Sequence, residues 1–186
     1  MSGCTVATAV ALLQQGEVIS YPTEAVYGLG CDPDNEAAVL SLLAIKQRPV
    51  EKGLILVAAT YSQLLPYVDD KAIPQEKRYQ IISSWPGHIS WVLPASKTAP
   101  KWITGNFSTI AVRVSAHPVV QQLCQQYGKP LVSTSANLAG EPAITDYQQL
   151  LATVGLKVAA IVDGALGGAG QPSQIRDAIS GQIVRS

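Results

Sequence analysis

Lys46, Arg48 and Lys52 place three cations within seven residues, in a chain whose 13 Lys+Arg are balanced by 13 Asp+Glu. Far downstream, the apolar approach at 129–132 opens into Ser133-Thr134-Ser135-Ala136-Asn137, small hydroxyls and one amide with no charge and little bulk. The first cluster can neutralise phosphates; the second can donate and accept hydrogen bonds at close range. Together they suit a polyanion whose reacting atoms must be approached, and a nucleoside triphosphate is the obvious candidate. Each cluster also has a plainer use. Lys46 and Arg48 can face the negative end of a helix that Pro49 stops, and 133–137 can be a polar turn.

The elements that must carry these groups follow from periodicity and punctuation. Residues 5–13 read as a first helix ended by Gly16, 18–21 as a strand and 26–30 as an extended segment whose Gly28 and Gly30 permit close backbone approach. Residues 34–46 have the apolar spacing of an amphipathic helix, with Asp34 as its cap. The aliphatic run 54–58 predicts a strand buried on both faces. Further helices are expected at 61–68, 75–85, 118–127 and 146–154, and further strands at 89–93, 109–114, 131–133, 158–162 and 182–185. Residues 95–107 read as a connection, and the Gly-rich 163–170 as a mobile loop over a cleft. This alternation predicts one α/β domain over 1–186: a twisted mixed parallel/antiparallel sheet flanked by helices, with a basic cleft at one end.

Composition narrows the function classes. With 186 residues, 47% hydrophobic and 14% charged, the chain can bury one substantial core. Zero net charge argues against a protein that holds nucleic acid by its overall field. Cys4, Cys31 and Cys124 are odd in number and widely spaced, which fits reduced thiols in a cytoplasmic protein. No apolar stretch approaches the ~20 residues of a membrane helix. Neither a G-x-x-x-x-G-K-[ST] loop nor a G-x-G-x-x-G is present, so a triphosphate must be held in another way.

Four blocks occur in order: Tyr21-Pro22-Thr23-Glu24-Ala25-Val26-Tyr27-Gly28-Leu29-Gly30, the Lys46/Arg48 segment, Ala111-Val112-Arg113-Val114 with His117-Pro118, and Ser133 to Asn137. From about Gly16 onward the chain resembles the YrdC/TsaC family, the threonylcarbamoyl-AMP synthases. The segment Pro172-Ser173-Gln174-Ile175-Arg176-Asp177 resembles the short, single-domain bacterial branch.

The resemblance implies a YrdC-like fold and an ATP-dependent nucleotidyltransferase that joins L-threonine, bicarbonate or carbon dioxide, and ATP into threonylcarbamoyl-AMP. It implies that Lys46 and Arg48 serve catalysis and bind ATP with Lys52, Ser133 and Asn137, with Thr109, Thr145 and Arg185 at further nucleotide positions. Arg113 is expected to hold the threonine carboxylate, because a guanidinium is planar and bidentate. Ser135, Ser173 and Tyr27 are expected around the amino acid. Mg2+ is expected to enter with ATP, bound mainly by phosphate oxygens and water, with no protein metal ligands; Asp163 and Asp177 are the nearest acidic residues by motif position. Expected partners are the tRNA-modification proteins that transfer the threonylcarbamoyl group, with weak tRNA or double-stranded RNA binding beside them.

The sequence also departs from the family pattern. Ala25 stands where many relatives have Thr or Ser, Lys52 where longer members have Asn, and Val57 where they have His. His88 sits where relatives commonly carry Pro, which argues against a catalytic base there. His117 is expected to be structural and Cys31 a buried thiol. Two rival readings stand beside the synthase: a non-catalytic module for double-stranded RNA or ribosomal precursor, and the other carbamoyl chemistry of larger hydrogenase-maturation proteins.

Overall fold

The computed structural model describes residues 3–185. Helix α1 (Val6–Gln14) starts where the Thr5 hydroxyl accepts from the Thr8 amide. Strands β1 (Ile19–Pro22) and β2 (Tyr27–Gly30) form an antiparallel pair. Helix α2 (Glu36–Lys46) is followed by a 3-10 turn (Val50–Lys52) and strand β3 (Ile55–Ala58). Then come α3 (Gln75–Ser83), β4 (Ile89–Pro94), α4 (Lys101–Thr104), β5 (Thr109–Val114), α5 (Pro118–Tyr127), β6 (Leu131–Ser135), α6 (Tyr147–Val154), β7 (Ala160–Ile161), β8 (Gln174–Asp177) and β9 (Ile183–Arg185).

All nine strands form one sheet in the order β7-β1-β2-β6-β3-β5-β4-β8-β9. β1/β7, β3/β5 and β4/β8 are parallel and the other pairs antiparallel, so the sheet is mixed, as the alternation of elements predicts. Side chains alternate across it. Leu29, Leu56, Ala58 and Val132 enter a core shared with α2 and α6, whereas Ile19, Tyr21, Val57 and Leu131 enter a second core under α1 and α5. The strand β3 lies at the centre, with Leu56, Val57 and Ala58 all fully buried, which is why its sequence is uniformly aliphatic.

Several local expectations are corrected. The cap of α2 is Asn35, whose Oδ1 accepts from the Ala38 amide; Asp34 instead accepts from the Tyr67 hydroxyl and from Lys129. Residues 61–68 hold only a 3-10 turn at Tyr61–Leu64, interrupted by Pro66. The connection 95–107 contains the short α4, and β8 was not legible because Gln174–Asp177 is half-buried and lacks an apolar run.

Gly30 shows why β2 needs glycine. A Cβ there would sit 2.7 Å from both Val132 O and Tyr21 Cε1, while one at Gly28 would meet Tyr21 Cε2 and Thr23 Cγ2 at 3.3 Å. Gly30→Ala is therefore expected to cost ~1–3 kcal/mol in urea denaturation, the usual range for overpacking, and Gly28→Ala less. Equal losses would mean that backbone entropy, not close approach, selects these glycines.

Candidate active site

The helices α1 and α5 cover only part of their sheet face. On the remainder, register aligns Ser133 with Ile55, Ile55 with Ala111 and Ala111 with Val92, and places Ser135 opposite Gly28. These residues line a cavity of about 500 Å³, a size suited to a small-molecule ligand. Its described lining includes Lys46, Arg48, Lys52, Arg113 and Arg185 and no Asp or Glu.

Lys46 and Arg48 reach the cavity together because the chain turns sharply between them. On a continuous helix they would point ~200° apart. Gln47 adopts a left-handed conformation (φ 52°), the sole such non-glycine among the described residues, and turns Arg48 back toward the same space. Lys46 is 3% exposed, and its ammonium donates to Ser135 O (2.6 Å), Asn137 O (2.8 Å) and Asn137 Oδ1 (3.4 Å). The cationic and hydroxyl-rich segments are thus in direct contact. Burial, reinforced by Arg48, pushes the Lys46 pKa down to about 8. Arg48 donates from Nη2 to Gly53 O at 3.0 Å, while its buried Nε has no partner among the described residues.

On another wall, Arg113 is held by a buried carboxylate. Its Nη1 donates to Glu24 Oε2 at 2.9 Å, and Glu24 Oε1 accepts from Ser115 Oγ (2.6 Å) and the Ala116 amide (3.2 Å). Burial alone would raise the Glu24 carboxyl, but Arg113 and these donors together hold it below its ordinary value. Ser173 meets Ser90 Oγ at 3.0 Å, and Arg185 donates from Nη2 to Ser173 O at 2.8 Å. Burial chiefly, and the charges of Arg113 and Arg48 further, lower the Arg185 pKa below its ordinary value; all three guanidinium side chains line the cavity.

Of the residues expected here, Lys46, Arg48, Lys52, Thr109, Arg113, Ser133, Ser135, Asn137, Ser173 and Arg185 line the cavity. Tyr27 and Thr145 do not. Tyr27 alternates to the opposite sheet face and packs 6.3 Å from Tyr147, and Thr145 is exposed outside the lining. The loop 163–170 also lies outside the lining. It is bound to the backbone of Thr23, itself a lining residue, and of Glu24 through Gly167 N to Thr23 O (3.0 Å) and Ala169 N to Glu24 O (2.8 Å), while Pro172 and Ser173 join the lining.

Sequence reasoning missed Glu24, Thr104 and Phe107, and weighed His88 only as a catalytic base. Glu24 had a signal, a lone carboxylate in an otherwise apolar, glycine-containing segment. Thr104 lines the cavity with a buried Oγ1 that lacks a partner, and Phe107 stands half exposed beside Ile103 and Ile110. Asp163 is exposed away from the lining, and Asp177 Oδ1 accepts from Ile179 N, Ser180 N and Ser180 Oγ. Among the described residues, no group of three His, Cys, Asp or Glu side chains is placed to hold a metal ion. No described helix is long and apolar enough to cross a membrane. All three cysteines are free, and burial pushes the Cys31 thiol up and that of Cys124 up to about 12.

Fold and cavity together define an α/β protein whose cations and short hydroxyls line a small-molecule-sized cavity on the open part of a mixed sheet. The chain belongs to the Sua5/YciO/YrdC family, whose model, described as Telomere recombination, matches residues 11–186. It is 59% identical to a protein of Pseudoalteromonas translucida named threonylcarbamoyl-AMP synthase, over 97% of each chain. A Vibrio cholerae protein of the same name is 56% identical, over 95% of this chain and 94% of the relative. Among solved structures, P. abyssi Sua5 complexed with L-threonine superimposes with a TM-score of 0.86 at 32% identity, over 92% of this chain; the chain spans 50% of that structure's length.

Proposed function

We infer that this chain is an enzyme that makes threonylcarbamoyl-AMP and diphosphate from L-threonine, bicarbonate or carbon dioxide, and ATP. The observation that carries this reading is that one cavity is bordered both by Lys46, Arg48, Ser133 and Asn137 and by Arg113, Ser135 and Ser173. The names of the P. translucida and V. cholerae relatives and the threonine bound to P. abyssi Sua5 support it.

In this reading Arg113 takes the threonine carboxylate and Ser135 and Ser173 surround the amino acid. Lys46, Arg48, Lys52, Asn137 and Arg185 face the triphosphate, and the apolar wall of Leu54, Ile103, Phe107 and Ile110 suits the flat base. The threonine amine adds carbon dioxide to form a carbamate. A carbamate oxygen then attacks the α-phosphorus, and the bond to the bridging oxygen breaks to release pyrophosphate. Such a step needs alignment and charge neutralisation and no protein nucleophile. Because the described lining has no carboxylate, Mg2+ is assigned to the phosphates of ATP and to water, where it would offset charge on the leaving group.

In this reading the product passes to partner proteins that modify the adenosine beside the anticodon in tRNAs reading codons that begin with A. Neutral net charge and a cavity of small-molecule size do not favour the RNA-binding alternative. The test is to supply ATP, Mg2+ and bicarbonate and to follow pyrophosphate with and without threonine. Release that requires threonine is expected; release that ignores it, or none, overturns the assignment.

A further inference from the structure

His88 and His117, the two histidines of the chain, hold the same loop. His117 Nε2 lies 3.0 Å from Ala165 O, and its buried Nδ1 has no partner among the described residues. His88 Nε2 lies 2.6 Å from Gln171 O. A carbonyl only accepts, so each Nε2 carries the ring proton and donates. In neutral His88 the Nδ1 lone pair is then free to accept, and Arg113 Nη1 stands 3.3 Å from it.

The consequence falls on Arg113. Its Nη1 has two protons, and the structure directs one to Glu24 Oε2 at 2.9 Å and the other to His88 Nδ1. Two acceptors on one nitrogen fix the plane of the guanidinium, and no described residue accepts from its Nε or Nη2. That edge remains for a bidentate anion. Through its other nitrogen the same imidazole fixes Gln171, two residues before Ser173, whose hydroxyl borders the cavity. One ring therefore joins the guanidinium to the segment that carries Ser173.

We propose that His88 is a positioning residue for the amino-acid substrate: it orients Arg113 through Nδ1 and tethers the 171–173 segment through Nε2, so that both border one subsite. This rests on the assignment of Arg113 to the threonine carboxylate. His88 takes no proton from the substrate in this role.

The two halves of the role separate by substitution, because Asn can replace the Nδ1 acceptor and Gln the Nε2 donor. His88→Ala is expected to raise the KM for threonine roughly 3- to 10-fold, the scale of one ordinary hydrogen bond, because the loss reaches the substrate only through Arg113 and Ser173, with the KM for ATP unchanged. His88→Asn, which keeps the contact to Arg113, should recover most of the threonine KM, and His88→Gln, which keeps only the tether, should recover less. Amide hydrogen exchange over residues 171–174, measured without substrates, should accelerate in the Ala and Asn variants and stay near wild type in Gln.

Unchanged threonine KM in His88→Ala, or equal rises for threonine and ATP, overturns the positioning role while wild-type turnover leaves the assigned reaction standing. Wild-type protein that releases no threonine-dependent pyrophosphate overturns both. Melting curves identify a variant that fails to fold, and the Asn and Gln pair then decides the matter.

Discussion

Lys46→Ala is expected to weaken ATP binding about 10- to 150-fold, the equivalent of one charge-assisted contact at ~1.5–3 kcal/mol, when measured by titration calorimetry. Lys52→Ala should do much less, because Lys52 is exposed and water screens its charge. The Lys46 change also strips the carbonyls of Ser135 and Asn137 of their donor, a loss that offsets the relief of removing a buried charge.

The pH dependence separates these two roles by sign. The folded pKa of Lys46 is pushed down to about 8 from an ordinary 10.5, so between these values the unfolded chain binds more protons and the group favours the fold increasingly as pH rises. Below pH 8 the ammonium is present in both states and its burial opposes folding. Phosphate binding needs that ammonium, so ATP affinity should hold below about pH 8 and decline above it. Lys46→Ala should lose this decline. If the wild-type affinity is flat through pH 9, Lys46 does not supply charge to the phosphates.

Arg113 has the second large effect, and its partner decides which variant is informative. Arg113→Ala leaves Glu24 buried without its cation, a change that ordinarily costs ~3–5 kcal/mol, so lost activity could reflect lost folding. Arg113→Lys keeps the charge and loses the planar fork. It is expected to keep most of the stability and to raise the threonine KM about 10- to 150-fold, with ATP affinity nearly intact. Equal losses for both substrates would mean that Arg113 serves the triphosphate. The double variant Arg113→Ala/Glu24→Gln should recover stability relative to Arg113→Ala without recovering threonine use, because it removes the buried charge and still lacks the fork.

The sequence determined the chemistry types and most of the elements. Apolar runs of strand length, the Gly16 and Gly128 stops and the Pro118 start follow from local sterics and burial, and they appear where expected. The cation cluster and the hydroxyl run were legible because charge density and side-chain size are properties of a short window. Boundaries were less so: the strand expected at 158–162 contains only Ala160–Ile161, and the helix expected at 61–68 is one turn.

What the tertiary structure alone decided is which side chains share a space. Strand register put Tyr27 on the far face of the sheet and Ser135 on the near one, a distinction of one residue that motif membership does not encode. The left-handed Gln47 brought Arg48 round to Lys46, and Glu24 met Arg113 across 89 positions of chain. The Gln47 turn is local, but the strand pairings and the Glu24–Arg113 contact join residues that sequence proximity never brings together. They are set by how the sheet orders its strands, β2 beside β6 and β6 beside β3, and not by any window of the chain.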